Sequence, residues 1–207
     1  MEIQWVLEEL HAGLLQVTWL EGMAVIFGVL SVYFSIKENI LVYPTGIIST
    51  LIYVYICLQV KLYADMGINA YYFSMSIYGW YIWTHPKEGR SSLPVTWLKP
   101  SGWLVAIGLM AISYGTLYYV LAHFTDSDVP YWDSFTTSSA FVGMYLMAKK
   151  KVENWIAWII TDLVSVPLYF YKGLVLTSFQ FLFFTVLATI GLIAWMKSAK
   201  KQSYAAA

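Results

Sequence analysis

Four residues in the second half of the chain have types and spacing suited to holding a flat, charged small molecule. Trp155, Trp158, Asp162 and Ser165 are 3, 4 and 3 positions apart, so on a helix they share one face. Two indoles offer ring faces, the carboxylate a charge, and the hydroxyl a donor and an acceptor. This is the chemistry of recognition. An enzyme would need a paired acid and base or a metal constellation at one depth. Here the carboxylate stands alone, and His11, His85 and His123 are scattered outside the predicted spans. Cys57 is the single cysteine, which excludes an intramolecular disulfide and a cysteine-based metal site. Neither a metal nor a cofactor is expected.

The element that must carry these groups is the stretch from Val152 to Tyr171, preceded by Lys149, Lys150 and Lys151 and otherwise almost wholly apolar. About twenty residues at about 1.5 Å each cover roughly 30 Å, the hydrocarbon thickness of a bilayer. Asp162 then falls near the midplane, where a carboxylate costs about 2.5–3.5 kcal/mol on insertion scales and should face a cavity or partner. Composition agrees. The 207 residues are 59% hydrophobic and 12% charged, with zero formal net charge, which reads as an integral membrane protein. Without a basic arm, nucleic acid is not an expected partner.

The spacing predicts an all-α membrane protein with seven transmembrane helices, at about 19–36, 40–59, 64–84, 101–122, 132–148, 152–171 and 174–196. Trp19, Trp80, Trp83, Trp103, Trp132, Trp155 and Trp195 fall near span ends, the usual depth of an aromatic belt. With the N-terminus outside, ten basic residues fall in cytoplasmic segments, against Lys61 and Lys172 outside. The positive-inside bias therefore places the N-terminus outside and the C-terminus in the cytoplasm. Residues 1–18 lack the basic start of a signal peptide, and Leu7, Leu10, Leu14 and Val17 share a helical face, so a short interfacial segment is expected. The loop at 85–100, with Pro86, Gly89, Pro94 and Pro100, reads as a hinge between halves. Residues 197–207 read as a cytoplasmic tail whose last four positions are appended, non-native sequence.

An internal repeat organises the spans. Residues 19–84 align with 131–196 at an offset of 112, pairing Glu21 with Asp133, Tyr33 with Tyr145, Lys37 with Lys149, Gly79 with Gly191 and Trp83 with Trp195. A slip of one residue pairs Lys61 with Lys172 and Asn69 with Gln180. Three spans per copy is an odd number, so a linking span at 101–122 must intervene for both copies to enter the membrane in one direction. The result is a 3+1+3 arrangement of two parallel three-helix repeats, with a site expected near the midplane between them.

The groups expensive to leave in lipid at that depth are Ser49, Thr50 and Tyr53 in the second span and Asn69, Tyr72 and Ser76 in the third. Trp158, Asp162 and Ser165 join them from the sixth span and Gln180 from the seventh, where Phe184 is a further candidate substrate contact. Asp162 and Asn69 carry the functional reading, because burial without a partner is costly. Gln180 serves equally well as a bridge between helices, and the serines serve packing or bond back to their own helix. Glu21 and Asp133 open the first and fifth spans as charges complementary to a helix N-terminus. Pro167 is either a static kink or a gate hinge.

At these residues the chain resembles the Pnu family of bacterial vitamin transporters. The matching stretches are Gln59 to Ala64, Ile77 to Trp83, Trp132 to Ser134 and Glu153 to Trp158. The resemblance implies a 3+1+3 fold in the bacterial inner membrane and facilitated diffusion of a vitamin. The product would be trapped by phosphorylation through a cytoplasmic vitamin kinase. It also implies that Trp155 and Trp158 stack on the substrate ring. Where the nicotinamide-riboside branch is richer in amides, this chain has Ser49, Ser76, Asp162 and Ile190. Fewer amides leave a ribose with fewer partners, whereas an acid beside two indoles suits thiamine, with its thiazolium charge and aminopyrimidine. Thiamine is therefore the expected substrate, nicotinamide riboside the alternative, and a sugar facilitator of similar layout a more distant one. The oligomeric state stays open, a homo-oligomer included.

Overall fold

The computed structural model describes residues 4, 7, 8, 10–12, 14, 18–59, 62–86 and 92–205. Most of the expected interfacial segment therefore lies outside the described residues, as do Lys61, Lys87, Arg90 and the last two alanines. From Thr18 onward the chain is helical: α1 Trp19–Ile36, α2 Val42–Gln59, α3 Tyr63–Thr84, α4 Pro100–Phe124, α5 Pro130–Ala148, α6 Asn154–Tyr171 and α7 Val175–Ala205. Four of them, α1, α2, α4 and α7, are long and apolar enough to cross a membrane by length and composition alone. The chain is an all-helical, multi-pass membrane protein. The lower hydropathy of α5 and α6 has a visible cause: Ser134, Thr136, Ser138, Ser139, Asn154, Thr161, Asp162 and Ser165 are all buried, so these polar groups face the protein interior rather than lipid.

Local chemistry sets the helix ends. Thr18 and Glu21 form a capping box: the Thr18 hydroxyl accepts from the Glu21 amide at 3.2 Å, and the Thr18 amide donates to the Glu21 carboxylate at 2.7 Å. Pro100 and Pro130 open α4 and α5, where a missing N–H costs nothing. Both α1 and α5 end on a residue in the left-handed region, Glu38 and Lys150, each with φ 54°. Around them the same bonds recur. The Glu38 amide donates to Ser35 O at 3.0 Å and the Lys150 amide to Met147 O at 2.9 Å. The Asn39 amide donates to Phe34 O and the Lys151 amide to Leu146 O, both at 2.9 Å.

Helices α1, α2 and α3 pack in sequence, as do α5, α6 and α7; α3 meets α5 and α7 meets α1, so the six close into a ring, while α4 packs against α5. At the end of the ring that carries Glu38 and Lys149 to Lys151, the interior is filled by an aromatic layer. Tyr43 meets Trp83 edge-on at 5.1 Å, Trp155 meets Trp195 edge-on at 5.6 Å, and the Trp83 and Trp195 rings lie 6.2 Å apart. The Trp195 indole donates to Ser35 O at 2.9 Å. Glycine is required here. A Cβ at Gly79 would lie 2.6 Å from Tyr43 Cζ, and one at Gly191 2.6 Å from the Trp155 ring.

Three sequence expectations are corrected. Trp83, Trp155 and Trp195 are buried core residues; proximity to a span end identifies depth but not which way the ring points. Trp19, Trp80, Trp103 and Trp132 are exposed, as belt residues would be. The last helix runs on to Ala205, because a polar, helix-forming sequence ends the apolar stretch without ending the helix. The connection at 85–100 is no free hinge in its described part. Thr96 bonds through its backbone to Lys150 and Val152 at 3.1 Å each, the Leu98 amide donates to Glu153 at 2.9 Å, and Val95 is fully buried.

Candidate binding cavity

Inside the ring, beyond the aromatic layer, is a cavity of about 1030 Å³. Its floor includes Ser35, Val42, Met144, Met147, Trp155 and Ala188, and it reaches the opposite end of the bundle at Asp65, Asp126, Asp128, Asp133 and Lys172. All eleven residues singled out from the sequence line it: Ser49, Tyr53, Asn69, Tyr72, Ser76, Trp155, Trp158, Asp162, Ser165, Gln180 and Phe184. Four helices, α2, α3, α6 and α7, contribute them, so it is the ring closure that brings them together.

Their surroundings differ. The Trp158 indole lies flat on Gly143, where an added Cβ would come within 3.1 Å of the ring, and its other neighbour is Tyr72 at 6.5 Å between centroids. Tyr72 is itself held edge-on to Phe141 at 6.1 Å. Trp155 is wedged against Gly191 and Trp195 and is only 3% exposed, so its ring has no free face. Of the two indoles, Trp158 has the surface on which a ring could stack.

Asp162 is only 4% exposed, and among the described residues it has neither a hydrogen-bond donor nor a basic partner. Such a carboxylate is costly unless a ligand, a water or a proton satisfies it. Ser165, one turn on, is equally buried. The remaining hydroxyls are partly committed. Ser49 donates to Ala24 O at 2.8 Å, and Thr50 donates to Gly46 O at 2.9 Å. Asn69 donates to Asp65 O on its own helix at 2.9 Å, leaving its amide oxygen as an acceptor.

The acidic end was largely missed by sequence reasoning. Asp133, taken as a helix-start charge, also pairs with Lys172 at 2.7 Å and accepts from Ser127 at 2.7 Å. Asp126 and Asp128 lie in the α4–α5 connection, where the only available signal was two acids in a short loop. Thr136, Thr137 and Tyr169 also line the cavity; lying toward span ends, they were not searched at midplane depth. Among the described residues no group of three or more His, Cys, Asp or Glu side chains could hold a metal. An aromatic face, a partnerless carboxylate and an acidic approach together suit a small cation with a flat ring.

Residues 18–197 match the family model described as nicotinamide mononucleotide transporter. The chain is 28% identical over 216 residues to the nicotinamide riboside transporter PnuC of Escherichia coli (strain K12), covering 92% of this chain and 90% of that protein. It is 24% identical to the riboflavin/roseoflavin transporter RibM of Streptomyces davaonensis, covering 90% and 89%. The crystal structure of the vitamin B3 transporter PnuC superposes with a TM-score of 0.69 at 24% identity, over 97% of this chain and 92% of that one.

Proposed function

This chain belongs to the nicotinamide mononucleotide transporter family, a family of vitamin transporters, and from that premise we propose that it carries a cationic, ring-bearing vitamin through the cavity by facilitated diffusion. The observation that carries this reading is Asp162, buried and partnerless among the described residues beside the stacking face of Trp158. Nicotinamide riboside is the substrate that the relatives favour, since the PnuC proteins are named for it. Its pyridinium ring would stack on Trp158 with its charge toward Asp162. Thiamine is the second reading, favoured by the acid itself and by serines at 49 and 76 in place of amides. Riboflavin, the named cargo of a more distant relative, is neutral and would gain no ion pairing from the carboxylate.

In this reading all seven helices span the inner membrane as two parallel three-helix repeats linked by α4. The lysine-rich end faces the cytoplasm, the acidic end faces outside, and the aromatic layer closes the inner end in the state described. Among the described residues no ion-binding constellation accompanies Asp162, so in this reading uptake depends on the vitamin gradient and on phosphorylation by a cytoplasmic kinase.

Calorimetric titration with nicotinamide riboside, thiamine and riboflavin tests the proposal. Asp162→Ala removes a charge-assisted contact of about 1.5–3 kcal/mol, so binding of the true substrate should weaken roughly ten- to a hundredfold. Asp162→Asn should cost thiamine more than nicotinamide riboside, because an amide can still serve a ribose hydroxyl. Unchanged affinity for every vitamin in a folded Asp162→Ala protein would reduce Asp162 to a packing residue and remove the case for a cationic cargo.

A further inference from the structure

At the end of the bundle opposite the acidic mouth, a second recess of about 460 Å³ lies between the last turns of α3 and α5, the segment 93–99 and the first turn of α4. Lys99, Lys149 and Lys151 line it together with His85 and Ser101, and among the described residues none that lines it is a carboxylate. Lys99 and Lys149 are both close enough to act on Lys151. Burial lowers the pKa of Lys151; Glu153, which does not line the recess, opposes this, and Lys99 and Lys149 add to it. Lys151 also donates to Thr96 at 2.6 Å, and Lys149 rests 4.9 Å from the Tyr78 ring centre. Neither contact supplies a counter-charge. Lys99 is exposed and precedes α4 without a side-chain cap, so the positive end of a 25-residue helix points the same way. The remaining wall is aliphatic, from Ile82, Leu93, Leu98 and Leu146.

Cations gathered in one recess beside an aliphatic wall complement an amphiphile with a phosphate head. We propose that this recess binds the phosphate of an anionic phospholipid headgroup, with the adjoining aliphatic wall receiving the start of its chains. The lipid would neutralise the lysine cluster and brace the α3–α4 connection against the α5–α6 junction. The vitamin cavity is separate, and this site stands whatever the cargo proves to be.

Native mass spectrometry of the delipidated protein in a neutral detergent provides the test, with phosphatidylglycerol and phosphatidylcholine of matched chains. The wild type should retain phosphatidylglycerol with roughly tenfold preference. Lys99→Gln with Lys149→Gln should abolish that preference. Lys197→Gln with Lys200→Gln removes the same charge from exposed positions on α7 outside the recess and should leave it intact. Equal losses in the two double variants, or no preference in the wild type, overturn the proposal. Displacement of the lipid by millimolar inorganic phosphate would overturn the lipid assignment in favour of a soluble phosphate. Melting temperature in phosphatidylcholine reports folding; if the double variant fails to fold, the exposed single change Lys99→Gln should still lower the preference, and an unchanged preference in it counts against the site.

Discussion

Helices α1–α3 and α5–α7 share a frame and differ on the surface turned to the cavity. Residues 112 positions apart occupy matching places: Glu38 and Lys150 both have φ 54°, and Gly79 admits the Tyr43 ring as Gly191 admits that of Trp155. The differences begin one turn further in. The second half sets the Trp158 indole on Gly143, whereas the first sets Gly46 beside Ser31, 3.1 Å from where a Cβ would stand. Thr50 has its hydroxyl committed to Gly46 O, and its counterpart Asp162 has no partner among the described residues. Matched positions with differing neighbours separate two tasks. The matching parts hold the ring of helices together, and the unmatched ones give the cavity a charged aromatic side and a small hydroxyl-lined side.

The largest effect is expected where the two halves meet. Glu38 and Lys150 pair with each other at 3.3 Å, and the ammonium also lies 4.4 Å from the Trp83 ring centre. Burial lowers the Lys150 pKa while Glu38 raises it. Glu38→Gln strands a buried cation, a change that costs about 3–5 kcal/mol in buried pairs; with Glu38 24% exposed, the lower end is expected. Thermal unfolding in detergent should show that loss shrinking as pH rises through the lysine's pKa, because a neutral amine needs no counter-ion. A penalty that did not vary with pH would show that the pair is not what joins the halves.

Next come the matched glycines. Gly79→Ala and Gly191→Ala each force an aromatic ring to move, and overpacking of this kind costs about 1–3 kcal/mol. Similar losses in melting temperature are expected from both. A harmless Gly79→Ala beside a damaging Gly191→Ala would show that the halves are not equivalent at this layer.

The cavity faces should respond unequally. Trp158→Ala removes an aromatic contact of about 0.5–1.5 kcal/mol and should weaken vitamin binding up to roughly tenfold. Gly46→Ala, at the matching position, meets first the Ser31 and Ser76 hydroxyls at 3.1 and 3.5 Å and should cost less. Equal losses in titration calorimetry would place the ligand midway between the halves.

The smallest difference concerns how the halves begin. Thr18→Ala removes the capping box of α1, worth about 1 kcal/mol. The helix α5 has no side-chain cap and relies on Asp133 with Lys172. Lys172→Gln should cost about 1 kcal/mol or less, since the pair is partly solvated. A melting-temperature loss from Lys172→Gln larger than that from Thr18→Ala would reverse this ranking.

What the sequence determined by itself was whatever depends on spacing along one helix. The helix count from Trp19 onward follows from runs of apolar residues. The common face of Trp155, Trp158, Asp162 and Ser165 follows from 3.6 residues per turn, and all four do reach the same cavity. The 112-residue offset is likewise visible in the residues, and the matched backbone bonds around Glu38 and Lys150 agree with it. Only the tertiary structure decided which of two residues at the same depth faces lipid, core or cavity. Trp155 and Trp158 look alike in sequence, but Gly191 draws one into the core and Gly143 leaves the other beside open space. Asp133 reads as a helix-start charge until ring closure brings Lys172 within 2.7 Å. A helix's own sequence sets its period and depth; its rotation is set by the small residues of its neighbours, and those neighbours lie far away along the chain.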